Sequence, residues 1–181
     1  MKSIAVVLLA LLLAGCATNA TKVPSVAALP SLPNLAEPVP GTFTSGRLAP
    51  ADIDSIRRSG IREVIDLTVD SETPGFDEAA AMRSQGLLYR TLPIAGATDL
   101  TLGNVQAFDA LLRSATQPTL VHCASSNRVG ALAALRAAWI DGVASEQAIA
   151  IGKSWGLKGL EGEVRTRLQA GPATDHRPAN P

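Results

Sequence analysis

One short segment of the sequence combines a thiol, an imidazole and a guanidinium. It runs from His122 and Cys123 to Arg128 and is flanked by an apolar run at 118–121 and an alanine- and leucine-rich run at 129–140. A cysteine thiolate is a strong nucleophile, and an arginine across the same loop can bind two oxygens of an oxyanion. The sequence therefore places a nucleophile and an oxyanion clamp on one loop.

The flanking patterns predict that this loop joins a buried strand to the start of a long helix. The positive end of a helix dipole and successive backbone N–H groups favour a bound anion at such a position. They also favour the thiolate form of Cys123, with Arg128 opposite it. The predicted backbone donors are the four intervening residues, Ala124, Ser125, Ser126 and Asn127.

Helical and extended patterns alternate around this loop. Strands are predicted at 42–45, 62–67, 87–93 and 118–122, and helices at 50–59, 76–85, 102–115, 129–140, 144–155 and 160–169. This alternation predicts an α/β fold, a three-layer sandwich with a central, mostly parallel sheet of four to five strands flanked by helices. The strand at 42–45 is expected at the sheet edge. Ligands of such sheets bind beyond the carboxyl ends of the strands, where residues 122–128 are expected.

The first residues have the pattern of an export signal. A basic start and an apolar run at 4–14 precede Leu13-Ala14-Gly15-Cys16, which resembles the lipobox of bacterial lipoproteins. We expect a signal peptide at 1–15, lipidation of Cys16 followed by a proline-rich tether to residue 40, an α/β domain at 41–170 and a disordered tail at 171–181. Ala17 favours an outer-membrane location facing the periplasm. A lipidated Cys16 leaves Cys123 without a disulfide partner.

Composition argues against several partners. The 16 basic and 16 acidic residues balance, and aromatic residues make up only 3% of the chain, so a nucleic-acid surface is not expected. No second histidine, cysteine pair or carboxylate cluster stands near His122 at ligand spacing, so no metal is expected. No cofactor is implied. The expected partners are the membrane, through the lipid anchor, and a phosphorylated substrate or other small oxyanion.

The segment around Cys123 resembles the signature of the cysteine-dependent phosphatases. The order of elements over residues 41–155 is similar to the tyrosine and dual-specificity phosphatase fold, especially its bacterial branch of beta-lactamase-hydrolase-like phosphatase-like domains. The matching segments lie at 44–47, 60–67 and 89–94. The resemblance implies that Cys123 attacks phosphorus to form a phosphocysteine and that Arg128 binds the phosphoryl oxygens. It also implies that residues 124–127 donate backbone N–H groups and that His122 orients the loop.

A general acid in this family is an aspartate upstream of the cysteine strand. Asp99 lies in the corresponding loop, and Asp66 or Asp70 could substitute for it. The alternative for Asp99, or for Thr98, is to cap the helix that begins near residue 102.

Two other functions remain open from the sequence. Four residues separate Cys123 from Arg128, a spacing that also resembles rhodanese loops, in which the cysteine carries a persulfide. Relatives commonly have glycine at the position of Ser126, and active phosphatases usually have serine or threonine at the position of Val129. These differences make a weakly catalytic anion-binding module the third hypothesis.

Overall fold

A computed structural model of the protein describes residues 31–172. The strands are β1 (Ala36–Val39), β2 (Thr42–Ser45), β3 (Glu63–Asp66), β4 (Leu88–Thr91) and β5 (Thr119–His122). The helices are α1 (Ile53–Ser59), α2 (Glu78–Ser84), α3 (Leu102–Arg113), α4 (Asn127–Trp139), α5 (Ser145–Ser154) and α6 (Glu161–Ala170). Every segment that the sequence predicts as a helix or strand within this range forms one, with boundaries shifted by a few residues. The predicted signal peptide, Cys16 and residues 173–181 lie outside the described residues.

Local signals account for the ends of the first two helices. Pro50 opens a 3-10 turn that leads into α1, and Gly60 ends that helix in the left-handed region, with φ +98°. Glycine adopts this conformation without the steric penalty that a Cβ imposes. Helix α2 begins after Asp77, whose carboxylate accepts a hydrogen bond from the backbone N–H of Ala80.

The five strands form one sheet in the order β1-β2-β5-β3-β4, parallel except for β1. Strand β2 is therefore interior, and the prediction that it lies at the edge is wrong. The predicted tether boundary at residue 40 is also wrong, because β1 pairs with β2 and Leu32 is buried. Pro38 is compatible with β1 because an edge strand does not need every backbone N–H for pairing.

Helices cover both faces of the sheet and confirm the predicted three-layer sandwich. Val64 and Leu120 pack toward α1 and α2, whereas Ile65 and Val121 pack into the larger core with α3, α4, α5 and α6. Side chains alternate between faces along a strand, so neighbouring residues of β3 and β5 serve different cores. No helix within residues 31–172 is long and apolar enough to cross a bilayer.

The parallel register brings the carboxyl ends of the central strands together. Asp66, the last residue of β3, lies opposite His122, the last residue of β5, and opposite Thr91 of β4. The three following loops therefore start at one edge of the sheet, where the sequence predicts the site.

Candidate active site

The loop between β5 and α4 is anchored to the segment that follows β2. The backbone N–H of Cys123 donates to the carbonyl of Ser45 over 3.4 Å, and the N–H of Arg47 donates to the carbonyl of Ala124 over 3.2 Å. Ser125 also forms an isolated β-bridge with Gly46. The loop therefore continues the sheet for a short distance before it turns into α4.

Ser126 makes that turn in the left-handed region, with φ +62°, and α4 begins at the next residue. The left-handed residue is thus Ser126 itself, at the position where the family resemblance leads us to expect glycine. Gly156 packs against it, since a Cβ on Gly156 would lie 2.4 Å from the Ser126 Cβ. The Asn127 side chain accepts hydrogen bonds from the backbone N–H groups of Lys158 and Leu160, at 2.8 and 3.2 Å. The chain after α5 therefore fixes the loop from the second side.

Cys123 and Arg128 lie beside each other in the interior, with 0% and 8% of their surfaces exposed. Burial lowers the pKa of the Arg128 guanidinium, but its hydrogen bonds to the Glu72 carboxylate and its electrostatic attraction to the neighbouring Cys123 raise that pKa overall. The arginine is therefore cationic at any physiological pH. The fold therefore places Cys123, the predicted nucleophile, next to Arg128, the predicted oxyanion-binding residue.

Glu72 is the partner that sequence reasoning missed. Its Oε1 accepts from Arg128 Nη1 over 2.7 Å and its Oε2 from Nη2 over 2.6 Å, a bidentate ion pair. This hydrogen bonding holds the pKa of the Glu72 carboxyl below its ordinary value. Glu72 closes the 3-10 turn Asp70–Glu72, and nothing in the sequence connects that turn to an arginine 56 positions away.

The ion pair leaves one edge of Arg128 available. Nη1 also donates to the carbonyl of Ile94, so both of its hydrogens have acceptors. No hydrogen bond from Nε, and only one from Nη2, is formed within residues 31–172. Nε–H and the second Nη2–H lie on the same side of the planar guanidinium and form a fork that fits two oxygens of an oxyanion.

The amino terminus of α4 offers further donors beside this fork. No side chain of the described residues caps the helix, so none of them accepts a capping hydrogen bond from its first-turn N–H groups. Uncapped N–H groups and the helix dipole both favour a negative charge at this position. The loop can therefore present backbone and guanidinium donors to the same anion.

The upstream aspartates have separate environments. Asp99 Oδ2 accepts from the backbone N–H of Ala95 over 2.6 Å, and Thr101 caps α3 by accepting from the Asn104 N–H. The prediction that Thr98 or Asp99 caps this helix is therefore wrong. Asp70 is exposed, whereas Asp66 is buried and accepts hydrogen bonds from Thr68. Of these three aspartates, only Asp66 accepts hydrogen bonds from the described residues on both carboxylate oxygens.

His122 points to the opposite face of the sheet from Cys123, as strand alternation requires. Its Nε2 lies 2.8 Å from Glu78 Oε1 and 3.3 Å from Asp66 Oδ1, and all three residues are buried. Tyr89 donates to Asp66 Oδ2 over 2.7 Å; burial, together with this bond, raises the pKa of its phenol far above the ordinary value. The ring nitrogens of His122 make no hydrogen bond within the described residues, so hydrogen bonding from this ring does not orient the loop.

Local spacing in the sequence places no possible metal ligands near His122, but the fold brings two carboxylates to it. Asp66, Glu78 and His122 each offer a ligand atom, and these atoms lie within 4.8 Å of one another. The sheet register pairs Asp66 with His122, and α2 supplies Glu78. Residues separated by up to 56 positions therefore meet, which local spacing does not reveal.

A parallel α/β sheet with a thiol and an arginine on the loop between its central strand and a long helix defines the fold of the cysteine-dependent phosphatases. Solved structures agree. A candidate phosphatase from Neisseria meningitidis Z2491 superposes with a TM-score of 0.61 at 22% identity and covers 72% of this chain and 96% of its own. TpbA from P. aeruginosa, in a cysteine-to-serine form with phosphotyrosine, has a TM-score of 0.55 at 19% identity, covering 83% and 93%.

Residues 39–140 match the phosphatase-like domain of beta-lactamase hydrolase-like proteins, and the chain belongs to that family. The beta-lactamase hydrolase-like protein of Xylella fastidiosa strain Temecula1 is 37% identical over 95 residues, half of this chain. The protein of strain 9a5c matches to the same extent. The matched region spans 22% of the length of these relatives.

Proposed function

We propose that this domain hydrolyses phosphoesters through a phosphocysteine intermediate on Cys123. The observation that carries the proposal is the placement of Cys123 beside a cationic Arg128 whose Nε edge is free of hydrogen bonds in the described residues. A thiolate and a fork of two donors then face one oxyanion.

In the first step the Cys123 sulfur donates an electron pair to phosphorus while the bond from phosphorus to the ester oxygen breaks. Arg128 and the first-turn N–H groups of α4 hold the non-bridging oxygens, whose charge they stabilise. The leaving oxygen takes a proton from a general acid. In the second step water attacks phosphorus and gives a proton to the carboxylate of the same acid, the S–P bond breaks, and phosphate and the thiolate are released.

We assign the general acid to Asp99. Asp66 is committed to Thr68 and Tyr89 on the far face of the sheet, which argues against it. One carboxylate oxygen of Asp99 accepts from Ala95, and the other makes no hydrogen bond within residues 31–172. The loss of an acid is expected to slow turnover by about 10²–10⁴-fold, with the larger effect on substrates that have poor leaving groups.

The test uses an aryl phosphate, with phosphate release measured for the wild-type chain and for Cys123→Ser and Arg128→Ala. Both variants should abolish release, and acid quenching should trap phosphate on Cys123. Arg62→Ala removes an exposed arginine with no ion pair in the described residues and should not change the rate. Equal release by Cys123→Ser would refute the phosphocysteine step.

A sulfurtransferase is the second candidate, because four residues separate Cys123 from Arg128. The same proteins should then be given thiosulfate and cyanide. Thiocyanate formation that depends on Cys123, without phosphate release, would replace the first proposal. Stabilisation of the fold by phosphate without either reaction would identify a binding module.

We further propose a phosphorylated substrate in the cell envelope, with the domain held on the membrane by acyl chains on Cys16. TpbA binds phosphotyrosine in its solved structure, which supports a phosphorylated ligand for this fold. The anchor rests on the Leu13-Ala14-Gly15-Cys16 pattern. Labelled palmitate should be incorporated by the wild-type chain, and Cys16→Ser should lose both the label and the outer-membrane fraction. Incorporation into Cys16→Ser, or wild-type chain found only in the soluble fraction, would contradict the anchor.

A further inference from the structure

We propose that Asp66, Glu78 and His122 bind a divalent transition-metal ion on the face of the sheet opposite Cys123. The cluster and the Cys123 side chain lie on opposite faces of the sheet, although His122 directly precedes Cys123 in the chain. The cluster joins the end of β3, the start of α2 and the end of β5.

The burial of unpartnered polar atoms is the first observation. His122 is 0% exposed and Glu78 is 4% exposed, yet both ring nitrogens and both carboxylate oxygens lack hydrogen-bond partners within residues 31–172. A buried charge without a partner is strongly unfavourable in a protein interior. A cation shared by these groups removes that penalty.

The geometry of the short contacts is the second observation. Nε2 of His122 lies 2.8 Å from Glu78 Oε1 and 3.3 Å from Asp66 Oδ1, but neither contact has the alignment of a hydrogen bond. Two atoms that bind one ion both point at the ion rather than at each other. With bonds of about 2.0–2.2 Å and angles of about 90–110°, such atoms lie about 2.8–3.6 Å apart. The contacts of His122 fall within that range.

Asp66 is supported in the way that metal-binding carboxylates usually are. Its Oδ1 accepts from the Thr68 N–H over 2.7 Å, and its Oδ2 accepts from the Thr68 and Tyr89 hydroxyls over 2.8 and 2.7 Å. Outer hydrogen bonds of this kind fix the orientation of a ligand. Asp66 is therefore already held in place before an ion arrives.

A route for the ion is present. Asp66 and Glu78 line a cleft with a volume of about 330 Å³, whose other walls include Thr68, Asp70 and Thr73. The oxygen-rich walls suit a hydrated cation, and water in the cleft can complete the coordination. One imidazole with two carboxylates suits first-row ions, and zinc is expected to bind more tightly than manganese.

The metal alone is the probe for the test. The purified chain is treated with chelator and titrated with Co²⁺, whose visible absorption reports its ligands, and Zn²⁺ is then added in competition. We expect one equivalent of Co²⁺ per chain, no thiolate charge-transfer band, and displacement by Zn²⁺. At a hundredfold excess over its Kd, Zn²⁺ should raise the Tm by about 5–10 °C.

Three variants locate the ion. Glu78→Gln keeps the shape of the side chain and should weaken Co²⁺ affinity at least about tenfold. Asp70→Asn, an exposed carboxylate of the same cleft, and Cys123→Ser, which removes the thiol, should both bind Co²⁺ as the wild type does.

Two results overturn the proposal. The first is that the wild-type protein binds less than one equivalent of Co²⁺ and that Zn²⁺ does not raise its Tm. The three side chains would then share a proton rather than a metal ion. The second is binding lost in Cys123→Ser, which would place the ion at the thiol. If Glu78→Gln does not fold, the wild-type stoichiometry and the presence or absence of the thiolate band decide between these outcomes.

Discussion

Replacing Glu72 with glutamine tests whether this carboxylate positions Arg128 or blocks it. The two hydrogen bonds of 2.7 and 2.6 Å occupy the outer edge of the guanidinium and leave the Nε edge free of hydrogen bonds in the described residues. If Glu72 orients the arginine, Glu72→Gln should weaken oxyanion binding and stability together. If it competes with the substrate, the variant should bind phosphate more tightly.

The stability change can be bounded from the structure. Breaking a fully buried ion pair costs about 3–5 kcal/mol, and a charge-assisted hydrogen bond contributes about 1.5–3 kcal/mol. The Glu72 side chain is 21% exposed and glutamine keeps one acceptor oxygen, so the lower part of this range applies. We expect a loss of about 2–3 kcal/mol, which corresponds to a Tm lower by roughly 5–10 °C for a chain of this size.

The control is Glu146→Gln, which breaks a bidentate pair with Arg165 on the surface. Glu146 is 78% exposed, so this variant should lower the stability much less than Glu72→Gln does. For Glu72→Gln we expect phosphate affinity and kcat/KM for an aryl phosphate to fall about tenfold or more, and Glu72→Asp to recover part of the loss. Unchanged stability, or tighter phosphate binding by Glu72→Gln, would refute the positioning role.

Acid provides an independent measure of the same pair. The hydrogen bond from Arg128 holds the pKa of Glu72 below its ordinary value of 4.5. Its stabilising effect is therefore complete above about pH 4.5 and is lost as the pH falls through the lowered pKa of the folded state. Urea unfolding from pH 6 to pH 3 should show a smaller acid-dependent loss in Glu72→Gln than in the wild type. Identical profiles would contradict this assignment.

Three further predictions concern the walls of the site. Cys123 lies beside the proposed oxyanion site, so phosphate should slow its alkylation by iodoacetamide in the native protein but not in urea, and equal native rates with and without phosphate would contradict a shared site. Gly130→Ala places a Cβ 2.0 Å from the Leu157 backbone N and should lower the free energy of unfolding by more than about 3 kcal/mol. The control, Gly162→Ala, lies in open space on α6 and should stabilise the protein by roughly 0.5–1 kcal/mol. Denaturant midpoints measure both changes, and equal midpoints would contradict the packing between α4 and α5. Val129 is fully buried, so Val129→Thr should cost about 1–3 kcal/mol in the same assay, and no loss would show that the hydroxyl finds a partner.

The sequence predicts the fold well because its signals are local. Apolar runs and alternating helical stripes mark each element, and Gly60 and Pro50 mark the ends of one of them. The sequence does not predict strand β1, because four residues with a proline and no apolar run have no strong strand signal, and only pairing with β2 makes them a strand.

The sequence reveals only part of the candidate site, because its patterns report local structure. Cys123 and Arg128 lie on one loop, so their spacing reveals them together. Glu72 reaches Arg128 from another loop, and Glu78 reaches His122 from a helix. Such contacts depend on the sheet order, which local patterns do not contain.

The position of Arg128 shows why the loop alone does not make the site. Its guanidinium is held by Glu72 and by the carbonyls of Leu67 and Ile94, which follow β3 and β4. These loops meet because β3 is paired with both β4 and β5. The Leu67 N–H in turn donates to the His122 carbonyl, directly before Cys123. The same backbone junction therefore supports the arginine clamp on one face and the His122 cluster on the other, so the geometry of both depends on the end of β3.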